Sequence, residues 1–171
     1  MSGQDELIKV HVDLPNHWAV GGEAMWARPL GEDTYELHNV PFHAYDLNFL
    51  DVVEAVAAAP DLKPSVRRVV RRSGHRTLRV SFCDATPEPD RLPLLESLRE
   101  LGASIEGATK KFFAVDITPE GDYPGVCDRL QAFEQQGLLE YETCEARVEG
   151  SFDDRPRPPQ GGGAPESGGA P

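Results

Sequence analysis

Two hydrophobic periods share this chain, and together they predict an α+β fold: a small N-terminal β-sheet or partial barrel, then a ferredoxin-like β-α-β-β-α-β unit. Three observations carry the prediction. Apolar residues alternate with polar ones at 9–14 and again at 76–82, the period of a half-buried strand. Leu92, Leu94, Leu95, Leu98 and Leu101 recur at helical spacing, with Asp90 placed as a cap and Gly102 as a stop. A second run, Val126, Leu130 and Phe133, opens at Asp122 and closes at Gly137.

The remaining elements follow in order. Residues 23–30 and 34–39 read as two strands joined by the turn Gly31-Glu32-Asp33. Pro41 interrupts the chain, 43–48 read as loop, and Val52 and Val53 restart a strand. Residues 66–72 and 76–82 flank Ser73-Gly74-His75 and predict a hairpin, because glycine supplies the positive φ of a tight turn. Strands at 103–107, 111–117 and 138–145 complete the second unit. The expected division is residues 1–75, a β-rich subdomain; 76–149, the ferredoxin-like subdomain; and 150–171, a tail. Proline, glycine and small polar residues dominate that tail, so it cannot bury enough surface to offset its ordering entropy and is expected to be disordered.

Composition narrows the function. A net charge of −12 opposes general binding to phosphate backbones, so no nucleic-acid partner is expected. Cys83, Cys127 and Cys144 are odd in number and form no C-x-x-C pair, which fits a reducing compartment. The N-terminus lacks a basic segment followed by an apolar run, and no stretch approaches the roughly 20 apolar residues that cross a bilayer. The expectation is a cytoplasmic protein with no membrane contact.

Several strings make the chain resemble a known family. They are Glu23 and Trp26 in E-x-x-W-A-R, Asn39 to Phe42 in N-V-P-F, the Asp51-Val52-Val53 step, and Ser73 to Thr77 in S-G-H-R-T. Together they resemble small bacterial proteins of actinomycetes and myxobacteria described only as a domain of unknown function. The resemblance spans about residues 9–145. It implies a bacterial, standalone module and brings no activity.

Candidate sites come from local composition. Arg67, Arg68, Arg71, Arg72, Arg76 and Arg79 crowd one short segment of an acidic protein. Guanidinium groups grip carboxylate or phosphate, so Arg72, Ser73, Gly74, His75, Arg76 and Arg79 could hold a small anion; equally, they could pair with nearby acids on a solvated face. His75 is a candidate acid or base beside Ser73, but no G-x-S-x-G elbow surrounds the serine. His38 and His43, with Asp46 and Asp51, do not match a metal spacing, and the segment reads better as a turn fixed by Asn39 and Pro41 and anchored by Phe42. Trp18, Trp26, Phe42, Tyr45 and Phe49 suit either a core or a pocket lining. No metal or cofactor is expected, and Gly21-Gly22 opens no dinucleotide fingerprint.

The leading expectation is a non-catalytic binding or regulatory module whose partner is a protein or a small anion. The second is an immunity or inhibitor protein steering a basic target through Glu134, Glu140, Glu142, Glu145 and Glu149. The third is a small enzyme at the Ser73–Arg76 turn. The oligomeric state stays open.

Overall fold

The computed structural model describes residues 6–15, 17 and 19–145. The expected tail and Trp18 lie outside them. Among the described residues the chain is mostly β, with two short helices and two separate sheets.

The first sheet is a closed barrel of β1 (Ile8–Asp13), β2 (Gly22–Gly31), β3 (Thr34–Leu37), β4 (Val52–Val56) and β5 (Ser65–Arg71). Neighbouring strands are antiparallel except at the seam. There β1 meets β5 in parallel, with His11 opposite Ser65, and the His11 amide donates to the Pro64 carbonyl at 2.7 Å. Closure removes the free edges that a short five-stranded sheet would otherwise expose. The alternation in β1 sends Val10 and Val12 inward, where they meet Met25, Ala27, Leu37, Val53 and Ala55. The partial barrel expected from sequence is thus a complete one.

The second sheet runs in the order β7 (Ala103–Gly107), β8 (Phe112–Ile117), β6 (Arg76–Phe82), β9 (Leu139–Thr143), all antiparallel. Helices α1 (Glu88–Glu96) and α2 (Tyr123–Gln135) pack on one face. Leu95, Leu98, Val126 and Leu130 close over Leu78, Val80, Phe82, Val115 and Ile117 in a core separate from that of the barrel. Asp122 caps α2 by accepting from the Gly125 amide at 3.0 Å. Asp90 does not cap α1. The helix starts two residues earlier, behind Pro87, with no side-chain cap, and Asp90 sits in its first turn, where an acid suits the positive helix end. Gly102 has φ +87° and a virtual Cβ 2.7 Å from the Gly121 backbone, so the chain can leave this turn only at a glycine.

One expected pairing fails. Segments 66–72 and 76–82 do not form a hairpin: β5 pairs with β4 and β1, whereas β6 pairs with β8 and β9. The reason lies in β6, which is buried on both faces from Thr77 to Val80. A strand covered on both sides takes the sheet centre with two partners, leaving no edge for β5. Ser73-Gly74-His75 is therefore the bridge between sheets. Gly74 does adopt positive φ, +89°, as it turns past Pro119.

The helix-free face of the second sheet is not left open. Residues 38–51, which join β3 to β4, lie across it. The Asp46 amide donates to the Cys144 carbonyl at 2.9 Å, the Thr77 hydroxyl donates to Asn48 Oδ1 at 3.0 Å, and the Val40 amide donates to Glu106 at 3.3 Å. Asp46 and Leu50 hold positive φ, 59° and 64°, a conformation that side chains adopt only where the surroundings dictate it.

Asp51 ties the bridge to this covering segment. It is 0 % exposed; Oδ1 accepts from the Ser73 amide at 2.8 Å and Oδ2 from the Asn48 amide at 3.0 Å. An asparagine here would turn an N–H toward one of these donors. Asp51→Asn is expected to cost about 2 kcal/mol, read as a fall of about 6 °C in the thermal midpoint. A midpoint unchanged from the parent chain would show that Asp51 does not fasten the two sheets.

Candidate functional site

The site is built on Glu23. This β2 residue aims its carboxylate at the covering segment and accepts three successive backbone N–H groups: Phe42 at 2.6 Å, His43 at 3.0 Å and Ala44 at 3.0 Å. One carboxylate thereby satisfies three amides that no strand could pair. Three residues further along β2, the Trp26 amide donates to Asn39 Oδ1 at 2.7 Å. Glu23 and Trp26 thus meet residues 39–44 through two separate ties, and the purpose of both is to fix a loop.

The fixed loop presents Phe42, His43 and Tyr45 to the second sheet. With His17, and with Arg79, Ser81, Phe112, Glu140 and Glu142 from that sheet, they line an open groove of about 640 Å³ between the two halves. The His43 ring stacks on Phe112 with centroids 6.0 Å apart and planes 20° from parallel. Phe42 also meets Phe112, at 6.2 Å, and His17 meets the His43 edge at 5.6 Å. The lining is largely aromatic, and Arg79, Tyr45 and Glu142 supply polar groups to it.

Those polar groups form a chain. Arg79 is only 2 % exposed. Its Nε donates to Glu142 at 2.8 Å, its Nη1 donates to the Ala44 carbonyl at 2.7 Å, and its plane lies 4.4 Å from the Tyr45 ring centroid. The Tyr45 hydroxyl donates to the other Glu142 oxygen at 2.5 Å. The third arginine nitrogen, Nη2, is buried with no hydrogen-bond partner among the described residues. Such an orphan is unusual, because an unpaired buried donor forfeits its hydration.

Burial, with the Glu142 carboxylate beside it, pushes the Tyr45 hydroxyl from 10 up to about 12. Burial likewise pushes the neighbouring Cys144 thiol from 9 to about 12. Burial, and next the His43 ring, hold His17 below the ordinary histidine value, toward its neutral form. Tyr45 and Cys144 both bind their protons more tightly folded than unfolded. Their contribution to stability is complete below about pH 9 and drains away as pH rises toward 12. Urea denaturation between pH 9 and 12 should show this loss, and Tyr45→Phe should flatten it. A Tyr45→Phe profile identical to the parent's would remove Tyr45 from the account.

The residues singled out from sequence fall in three places. Arg79 and Phe42 enter the groove. Arg72, Ser73, Gly74, His75 and Arg76 occupy the bridge, apart from it. There Arg72 pairs with Asp46 at 2.9 Å and faces Asp51, and Arg76 pairs with Glu145 while lying 3.4 Å from the Tyr123 ring centroid. The Ser73 hydroxyl donates to the Phe49 carbonyl at 2.6 Å and accepts from the His75 amide, while His75 Nδ1 meets Asp116 at 2.9 Å. Burial pushes the Asp116 carboxyl up, and His75 pulls it partly back. Serine and histidine side chains are therefore engaged with other groups. Asn39 serves the loop, and Trp26 is 46 % exposed on the barrel wall beside Lys9.

Among the described residues, no group of three or more His, Cys, Asp or Glu could hold a metal ion. No helix there is long and apolar enough to cross a membrane. Glu142 and Glu145 are bound to Arg79 and Arg76, which leaves Glu140 and Glu134 as the remaining described acids of the expected acidic patch. Glu149 lies outside the described residues.

Sequence reasoning passed over His17, Phe112 and Glu142 as partners in one site. The available signal was the alternation Phe112-Phe113 and Glu140-x-Glu142, which places Phe112, Glu140 and Glu142 on the helix-free face.

The family model described as "Domain of unknown function (DUF4265)" matches residues 23–141. No curated protein matches the chain. A solved structure titled as a novel crystal structure of a hypothetical protein from Neisseria gonorrhoeae is similar in fold: the TM-score is 0.66 at 16% identity, over 83% of this chain and 98% of that one.

Proposed function

This chain belongs to the DUF4265 family, and we propose that it is a non-catalytic binding module whose small-molecule ligand sits in the groove between barrel and sheet. One observation carries the reading: an aromatic groove with a buried arginine in its wall, built from both halves of the chain. Ligand sites are typically concave and apolar with a few convergent polar groups, and they favour boundaries between packed units. A non-catalytic role is supported by the engagement of the reactive side chains at the Ser73–Arg76 turn and of Glu142 in the groove. Ser73 is tied to Phe49, His75 to Asp116, and Glu142 to both Arg79 and Tyr45.

On this reading residues 1–75 and 76–149 act as two subdomains clamping one ligand, in a bacterial cytosol. The strand order β7-β8-β6-β9 supports a ferredoxin-like description of the second. That likeness is one of fold and assigns no ligand.

The test is native mass spectrometry of protein isolated gently from its own source. A co-purifying small molecule that is lost from the Phe112→Ala variant is the expected result. Protein that arrives bare, and whose thermal midpoint no metabolite mixture raises, would contradict the proposal.

A further inference from the structure

The ligand's chemical class follows from the charge balance of the groove, and the inference rests on the binding reading above. We infer that the groove takes a neutral, planar molecule bearing a carbonyl oxygen, which accepts from the orphan Nη2 of Arg79 while its ring stacks beside Phe112 and His43.

Shape comes first. Phe112 and His43 lie nearly parallel, 20° apart, and Phe42 stands beside them, so the apolar part of the groove suits a flat ring. Next comes the polar contact. Arg79 is fixed through Nε and Nη1, and the Tyr45 ring covers one face of its guanidinium. Nη2 is the nitrogen of Arg79 left without a partner among the described residues, on a side chain that lines the groove, and an sp² oxygen in the guanidinium plane accepts well.

Charge then separates a carbonyl from a carboxylate. The Arg79 charge is matched by Glu142 at 2.8 Å, and both Glu142 oxygens already accept hydrogen bonds. Glu140 adds a negative charge to the lining, and the whole chain carries −12. An anion would meet no net positive field here. A cation would meet Glu140 but leave Nη2 unpaired. A neutral acceptor satisfies the orphan at no electrostatic cost.

The experiment titrates the full chain with three probes that share a ring and differ in charge: benzamide, benzoate and benzylamine. Aromatic proton–carbon spectra read the Phe112 and His43 ring signals. Benzamide should move both, bind about tenfold more tightly than either charged probe, and keep its affinity in high salt. Because loss of Arg79 threatens folding, the deciding variant is Glu142→Gln, at a half-exposed position. It leaves the Arg79 charge unmatched, so the preference should swing about tenfold toward benzoate. Tighter binding of benzoate or benzylamine to the parent chain, or ring signals unmoved by all three, would overturn the assignment. So would an unchanged preference in Glu142→Gln. A charged co-purifying molecule seated on Phe112 would sink the neutral class and leave the groove reading intact; bare protein with unmoved rings would end both.

Discussion

Replacing Glu23 by glutamine is expected to destabilise the fold by about 3 kcal/mol, although the side chain belongs to neither hydrophobic core. Hydrogen bonds to a charged acceptor contribute about 1.5–3 kcal/mol each, and three amides depend on this carboxylate, with overlapping rather than additive effects. Glutamine retains one carbonyl oxygen and places an NH₂ where a second acceptor stood. Residues 42–44 would lose their anchor, and the Phe42 and His43 rings would leave their positions against Phe112. Two readouts check this: a urea midpoint, and the chemical shifts of the Phe112 ring. Glu32→Gln, at an exposed turn position, is the control that should do neither.

The second large effect belongs to Arg79. Truncating Arg79 to alanine should cost about 3–5 kcal/mol, the range seen when one partner of a buried ion pair is removed. The Ala44 carbonyl loses its donor, Glu142 loses its countercharge, and the Tyr45 ring loses the plane it lies on. Since Glu142 is itself half exposed, its share of the loss is the smaller one. Adding Glu142→Gln to Arg79→Ala should therefore cost less than the two single changes summed, by about 1 kcal/mol. A double variant whose loss equals the sum would mean that the pair is not coupled. Lysine cannot substitute, because a single ammonium cannot reach Glu142 and Ala44 from the fixed fork that arginine presents.

Both predictions concern residues that the sequence offered for other reasons. Glu23 stood out as part of E-x-x-W-A-R, and only the geometry gives the motif its meaning, as a carboxylate that folds N-V-P-F across another sheet. Periodicity reads one element at a time and cannot report a tie between residues twenty positions apart. Elements carrying their own punctuation were legible. β1 and β6 alternate, α2 is opened by Asp122 and closed by Gly137, and β7, β8 and β9 lie where short apolar runs placed them. What misled was the symmetry of Ser73-Gly74-His75. Two arginine-rich strands around a glycine look like a hairpin, yet β6 is buried on both faces and β5 on one, and that difference decided their partners.

The groove was only half legible for the same reason. Phe42 and Arg79 could be named singly, but Glu142 becomes the neighbour of Arg79 only through the pairing of β9 with β6, and Phe42 reaches Phe112 only once residues 38–51 cross that sheet. The crowded arginines likewise divide by neighbourhood. Arg72 and Arg76 answer acids at the bridge, while Arg79 turns inward and is left with one donor unsatisfied.

Intermolecular nuclear Overhauser contacts from whatever small molecule the purified protein retains test this arrangement most directly. Cross-peaks from that molecule to the Phe112 and His43 rings are the expected result, with none to the Trp26 indole on the outer barrel wall. A molecule whose contacts map instead to the Arg67, Arg68 and Arg72 side of β5, with Phe112 silent, would contradict it.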